Sequence, residues 1–284
     1  MREIDAVAVL GAGTMGHGIA QVCAAAGCAV ALHDVDEGAA LRSLERIRAN
    51  LDQGVELEKV TPAERGATLG RIRVATSVAD AAAGADLVIE AAPESLELKE
   101  RVFAEVDRVA PAGALLATNT SSLSIERLAR TVRSPERFVG LHFFNPVHVM
   151  KLVEVVWGPD TSDATRLAAV AFVRRLGKEP VVVRDAPGFA SSRLGIVLGM
   201  EAIRMVEQGV ASPEDIDKAM ELGYRHPMGP LRLTDLVGLD VRLGIAEHLH
   251  RTLGSEAFRP PELLRRMVAE GKLGKKSGKG FYDW

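Results

Sequence analysis

The run AVAVLGAGTMGHGIAQVCAAAG, residues 6–27, constrains the fold more than any other stretch. A strand-like apolar segment stops at Gly11, Gly13 and Gly16, with Thr14 and Met15 filling the turn, and a helix-like segment follows. This is G-x-G-x-x-G in the order strand, turn, helix. The first glycine makes the tight turn, the second lets backbone approach a pyrophosphate, and the third lets helix and strand pack closely. The helix N-terminus adds N–H groups and a partial positive charge. A second strand-like run, CAVALH, leads into Asp34, 23 residues past Gly11. A carboxylate there accepts hydrogen bonds from an adenosine ribose and repels a 2′-phosphate, and Val35 offers no compensating cation. The plainer alternative, glycines that serve packing alone, leaves that acid without a purpose. The expected cofactor is NAD rather than NADP.

The same alternation continues down the chain. Strand-like runs occupy 6–10, 28–33, 71–76, 86–91, 114–119, 137–144, 151–157 and 179–183. Helical periodicity lies between many of them, at 37–54, 95–109 and 163–176. Strands alternating with helices imply an α/β fold with a mostly parallel, Rossmann-type sheet. After about residue 184 the strand signal stops. DAPGF has boundary turn chemistry, and helix-like stretches follow at 190–208, 213–222, 231–252 and 261–270. The expected organisation is an NAD-binding domain over 1–184 and an all-α substrate and dimerisation domain over 185–284. Apolar residues cover most of the circumference of the 190–208 helix, which suggests burial on several sides and a homodimer.

Bulk properties remove other classes. With 284 residues, 47% hydrophobic and 26% charged, the chain has enough material for real cores. A net charge of −3 gives no general attraction to nucleic acid. No apolar run reaches membrane-spanning length, and the N-terminus lacks a signal-peptide pattern, so a cytoplasmic enzyme is expected. Cys23 and Cys28 share one apolar segment and read as core residues. The histidines lack ligand spacing, and no metal site is expected.

LHFFNPVHVMKLVEVV, residues 141–156, carries the chemistry. His142 stands among apolar residues, and Glu154 follows in the next apolar run. Alone, they read as a satisfied core histidine and a solvent-facing glutamate. A nicotinamide enzyme, however, needs a group that manages the alcohol proton, and imidazole suits that task. Two strands joined by a short loop bring the pair side by side, and a carboxylate on one ring nitrogen fixes the tautomer. NTSSLSI follows a strand at the carboxyl edge, where such sheets bind ligands, so Asn119 and Ser121 are candidates for the same crevice. Ser122 or Ser124 is a candidate helix cap.

GAGTMG, NTSSLSI, GLHFFNPVHVMKLVEVV, DAPGF and GKKSGKGFY together resemble the L-3-hydroxyacyl-CoA dehydrogenase family, especially its bacterial 3-hydroxybutyryl-CoA branch. The resemblance implies oxidation of (3S)-3-hydroxyacyl-CoA to 3-oxoacyl-CoA by NAD, in either direction. It implies His142 as general base, Glu154 as its orienting partner and Ser121 on the substrate's 3-oxygen, with Asn145 beside the nicotinamide. It maps further NAD contacts onto Glu94, Lys99 and Lys276; without it, Glu94 and Lys99 read as a solvated helix start and Lys276 as a flexible end. It places CoA contacts on the helix after Asp34, which offers Arg42, Arg46, Arg48 and Asn50. Where the family usually has an asparagine, this chain has Ser192, either a substrate contact or a helix cap. The rivals are a dehydrogenase of a free hydroxy acid, of the L-gulonate or carnitine type, and a non-catalytic crystallin-like protein.

Overall fold

The structure, a computed structural model, describes residues 3–284. Packing divides the chain after Ala186 into two compact units. The first contains β1 (Ala6–Leu10), α1 (Gly16–Ala25), β2 (Ala29–His33), α2 (Glu37–Glu56), α3 (Pro62–Gly70), β3 (Ile72–Val74), α4 (Val78–Ala82) and β4 (Leu87–Glu90). It continues with α5 (Leu96–Val109), β5 (Leu115–Thr118), α6 (Ile125–Ala129), β6 (Phe138–Phe143), β7 (Leu152–Trp157), α7 (Asp163–Arg175) and β8 (Glu179–Arg184). Every strand-like run of the sequence forms a strand. The sheet order is β3-β2-β1-β4-β5-β6-β7-β8, parallel throughout except for β6 against β7.

The apolar character of the strands follows from burial on both faces, as in sheets covered by helices. All of Leu87–Glu90 is buried, for example. Val7, Val9, Leu87, Ile89, Val139 and Leu141 share a core with Ile19 of α1, Ile47 of α2 and Phe172 of α7. On the opposite face Phe138 meets Phe103 of α5 edge to face, 4.6 Å between ring centroids. Cys23 and Cys28 are free and buried. Two helices escape the periodicity reading, α3 and α4. Their start signals are local: a Thr61–Glu64 capping box with Pro62 for α3, and Ser77 accepting from the Asp80 N–H for α4.

The second unit is helical: α8 (Ser191–Glu207), α9 (Pro213–Tyr224), α10 (Pro230–Val237), α11 (Leu239–Leu253) and α12 (Glu262–Ala269). Ile196, Met200, Ile203, Leu231, Leu249 and Leu264 form its core. Ser212 caps α9, as its Ser-Pro start implies. The expected continuous helix over 231–252 is instead two helices. Gly238, at φ +105°, ends α10 and begins α11, a backbone conformation that side chains disfavour. Apolar periodicity on both sides of that glycine hides the break. The residue preceding α8 is Ala190, and Ser192 lies inside the first turn rather than at its cap, which removes the capping role for Ser192.

Candidate active site

The strand order reverses between β1 and β4, and a ligand crevice belongs at the carboxyl ends of the strands there. A cavity of about 570 Å³ occupies this place. Its walls include Gly11, Gly13, Thr14, Met15, Asp34, Glu94, Asn119, Ser121 and His142. Nine of the candidate positions therefore converge on one space within the first unit.

The glycine turn is built as its spacing requires. Gly11 has φ +101°, and a Cβ there would come within 2.6 Å of the Ala91 carbonyl oxygen. A Cβ on Gly16 would come within 1.7 Å of the Gly11 oxygen. At Gly13 a Cβ meets nothing within 4 Å, so this one glycine opens onto space rather than onto protein. Asp34 closes the turn from the end of β2. It accepts from the Ala12 N–H at 2.7 Å and from the Asp36 N–H at 3.0 Å. Val35 lines the cavity and is 99% exposed, with no cation in its place. Open space at the middle glycine and an acid at the second strand's end fit a dinucleotide without a 2′-phosphate.

Antiparallel register places His142 of β6 directly opposite Glu154 of β7. His142 Nδ1 lies 2.8 Å from Glu154 Oε2, and the two residues are 7% and 1% exposed. With Nδ1–H donated to the carboxylate, the neutral ring carries its lone pair on Nε2, the form a general base needs. The Phe144 ring packs 4.4 Å from the imidazole and limits its rotation. Asn119 Oδ1 accepts from the Phe143 N–H at 2.9 Å and ties β5 to the histidine strand. Lys178, buried in the same unit, donates to the carbonyls of Val147 and Met150 at 2.6 and 2.7 Å and pins the loop after β6.

Ser121 is held from below. Glu94 Oε1 accepts from Thr120 Oγ1 at 2.6 Å, the Ser121 N–H at 2.9 Å and Ser121 Oγ at 3.2 Å. Burial raises the Glu94 carboxyl, but the Lys99 ammonium and these hydrogen bonds outweigh it and hold it below the usual carboxylate range. Ser124, rather than Ser122, caps α6.

Other candidates lie away from the cavity wall. Lys99 is 1% exposed, so the solvated reading of that helix start is wrong, and it does not line the cavity. Asn145 is exposed in the loop after β6. Asn50 of α2 donates to Gln21 Oε1 at 3.2 Å, Arg42 pairs with Asp36 and Arg48 with Glu45, all outside the cavity. In the second unit, Lys276 pairs with Asp240 at 2.5 Å. Residues that the sequence reading passed over are Glu90, Thr118 and Thr120. The signal for Glu90 was available: a carboxylate closing an otherwise apolar strand needs a buried partner.

A switch-point crevice with a carboxylate-oriented histidine in its wall is the arrangement of a nicotinamide-dependent dehydrogenase. Residues 6–186 match the 3-hydroxyacyl-CoA dehydrogenase NAD binding domain, and residues 188–284 match the C-terminal domain of the same enzymes. The chain belongs to the 3-hydroxyacyl-CoA dehydrogenase family and is an NAD-dependent oxidoreductase. It is 46% identical over 282 residues to a probable 3-hydroxybutyryl-CoA dehydrogenase of Bacillus subtilis, covering 99% of this chain and 98% of that one. It is 44% identical to a 3-hydroxyadipyl-CoA dehydrogenase of Escherichia coli, of which it spans 60%. The crystal structure of (S)-3-hydroxybutyryl-CoA dehydrogenase from Ralstonia eutropha superposes with a TM-score of 0.95 at 42% identity, over 99% of each chain.

Proposed function

We propose that this chain interconverts short-chain (3S)-3-hydroxyacyl-CoA and 3-oxoacyl-CoA, with 3-hydroxybutyryl-CoA as the type substrate. The balance is 3-hydroxyacyl-CoA + NAD⁺ to 3-oxoacyl-CoA + NADH + H⁺. The observation that carries the reading is the His142–Glu154 pair in the wall of a crevice that also presents Ser121. Bound NAD supplies the hydride acceptor. His142 Nε2 takes the 3-hydroxyl proton, and in reverse the imidazolium returns it to the forming alkoxide. Glu154 holds the ring in orientation and stabilises the imidazolium. Ser121 holds the 3-oxygen, and Ser192 is a second substrate contact. Asp34 binds the adenosine ribose, and Gly11, Gly13, Thr14, Met15 and Gly16 cradle the pyrophosphate. Asn119, Asn145, Glu94, Lys99 and Lys276 complete the cofactor site, and Asn50 belongs to the CoA side.

The helical unit is the dimerisation unit in this reading. Leu194, Leu222, Tyr224 and Leu236 are large apolar side chains exposed on it, which supports a two-fold homodimer. In this reading the enzyme works in the cytoplasm, in fatty-acid metabolism. The test is NADH oxidation with acetoacetyl-CoA, longer 3-oxoacyl-CoA esters, 3-oxoadipyl-CoA and free oxo acids. Turnover of the thioesters far above the free acids supports the reading. Preference for a free acid would move the protein to the L-gulonate or carnitine type, and no turnover would favour a structural protein.

A further inference from the structure

The helical unit buries an arginine that no carboxylate meets. Arg242 lies in the first turn of α11, where its backbone N–H donates to the Gly238 carbonyl at 3.0 Å, and the residue is 6% exposed. Its Nε has no hydrogen-bond partner, and among the described residues no carboxylate pairs with the guanidinium. The acids of α10 and α11 are engaged elsewhere. Asp235 accepts from the Phe281 and Tyr282 N–H groups and from Trp284 Nε1, Asp240 pairs with Lys276, and Glu247 pairs with Arg265. Burial pushes the Arg242 guanidinium down to about 10, with no carboxylate to hold it up, so it is still a cation at neutral pH. A buried, unpaired charge costs stability, and its presence here asks for an anion from outside the chain.

The neighbouring start of α8 suits such an anion. A Cβ on Gly195 would stand 3.3 Å from Arg242 Nη1, so the glycine leaves the guanidinium its place. Helical Cβ atoms tilt toward the helix start, and residues three and four apart share a face. The strip that Nη1 borders is therefore the one that carries Ser191 and Ser192. Ser191, Ser192 and Gly195 are half-buried, so this strip reaches the surface. The helix begins there with no side-chain cap and no acid in its first turn. Its partial positive charge adds to that of Arg242. Ser192 is also the residue that replaces the asparagine usual in the family, and its hydroxyl can donate to an oxygen anion.

We propose that Arg242, the Ser192 hydroxyl and the start of α8 form a carboxylate subsite, and that the enzyme selects substrates whose acyl chain ends in a carboxylate. The proposal rests on the reading that Ser192 contacts the substrate. A planar guanidinium receives a carboxylate through two parallel N–H···O bonds, whereas a methyl terminus leaves it unpaired. A carboxylate has two sources here, the far end of the acyl chain of a CoA thioester or an unesterified oxo acid. The thioester reading of the reaction favours the first. The alternative is a structural arginine whose stem packs in the core and whose head group is served by water.

The test compares the full-length wild type with Arg242→Met, which keeps an apolar stem without the charge, and Arg242→Lys, which keeps the charge without the fork. kcat and KM are measured for 3-oxoadipyl-CoA and 3-oxohexanoyl-CoA, equal in chain length and different only at the terminal group, and for unesterified acetoacetate. Thermal unfolding is followed with and without glutarate as a small carboxylate probe. Wild type is expected to prefer 3-oxoadipyl-CoA by about tenfold to a hundredfold in kcat/KM, mainly through KM, the scale of a charge-assisted hydrogen bond. That preference is lost in Arg242→Met and reduced in Arg242→Lys. Without ligand, Arg242→Met melts at or above the wild-type Tm, because an unpaired buried charge is gone. Glutarate raises the Tm of wild type and not that of Arg242→Met. A wild-type ratio near one, or an equal ratio in wild type and Arg242→Met, overturns the proposal. A lowered Tm with an unchanged ratio also overturns it and makes the arginine structural. If Arg242→Met does not fold, Arg242→Lys decides: an undiminished preference overturns the proposal. Acetoacetate turned over faster than both thioesters, and dependent on Arg242, supports the subsite and fails the thioester reading instead. Wild type inactive on every compound fails that reading too, and the glutarate shift then decides for or against the subsite.

Discussion

His142 and Glu154 are cross-strand partners in the sheet's antiparallel pair, with Nδ1 and Oε2 2.8 Å apart inside an almost fully buried pocket of β6 and β7. Their alignment comes from strand register, not from a flexible loop. A one-residue slip would turn one of the two side chains to the opposite face. The geometry assigns Glu154 to orienting the ring. Glu154→Gln retains the shape and one acceptor but loses the charge that stabilises the imidazolium. It is expected to lower kcat and to displace the acid limb of the pH profile. An unaltered profile at full kcat would remove Glu154 from that role.

Cofactor choice follows Asp34. The wild-type protein is expected to prefer NAD over NADP at equal concentration. Asp34→Ser combined with Val35→Arg is expected to narrow or reverse the preference, and Val35, 99% exposed, leaves room for the longer side chain. Steady-state kinetics with both cofactors give the answer. Because Asp34 also accepts from the Ala12 and Asp36 N–H groups, some loss of NAD affinity accompanies the change. Equal wild-type kcat/KM with NAD and NADP would contradict the ribose assignment.

Ser192 offers a test with a clean structural control. It sits inside the first turn of α8 while Ala190 occupies the cap position, so its hydroxyl has no capping duty to lose. Ser192→Ala is expected to raise KM or lower kcat by up to about tenfold, one hydrogen bond's worth, with Tm unchanged. Ser192→Asn is expected to be tolerated. Unchanged kinetics would leave the helical unit without this substrate contact.

Glu94 links stability to acid. Its folded-state carboxyl is held below the usual range by Lys99 and its hydrogen bonds, against the raising effect of burial. A depressed carboxyl stabilises the fold above the unfolded value, roughly pH 4.3, and that contribution is lost as pH falls through the folded value. Urea unfolding of wild type and Glu94→Gln is therefore expected to differ most near neutrality and to converge as pH falls through the lowered folded value of Glu94. A gap independent of pH would mean that the carboxylate's charge does not stabilise the fold.

Much of this was legible in the sequence because it is written in local patterns. β-Branched runs mark the strands, and three glycines at fixed spacing mark the turn. The twelve-residue separation of His142 and Glu154 matches two strands joined by a short connection. What stayed hidden depends on depth. The charges of Glu94 and Lys99 look like any solvated helix start, yet Lys99 is sealed by Glu90, a partner nine residues back on a strand. Gly238 breaks a helix without disturbing apolar periodicity. Arg242 gives no sign in sequence that its guanidinium is buried, where desolvation pushes it down to about 10. The placements of Asn50, Asn145 and Lys276 came from resemblance alone, and in the first unit Asn50 and Asn145 lie outside the cavity wall.

The central claim is that His142 moves the substrate proton while hydride passes between carbon and the nicotinamide. Single-turnover NADH oxidation by acetoacetyl-CoA, wild type against His142→Asn, tests it most directly, with NADH binding measured on the same samples. The expected result is a rate about 10²–10⁴ lower in the variant with NADH affinity preserved, the usual scale for losing a general acid–base group. Near-normal hydride transfer in a folded His142→Asn variant would contradict the account.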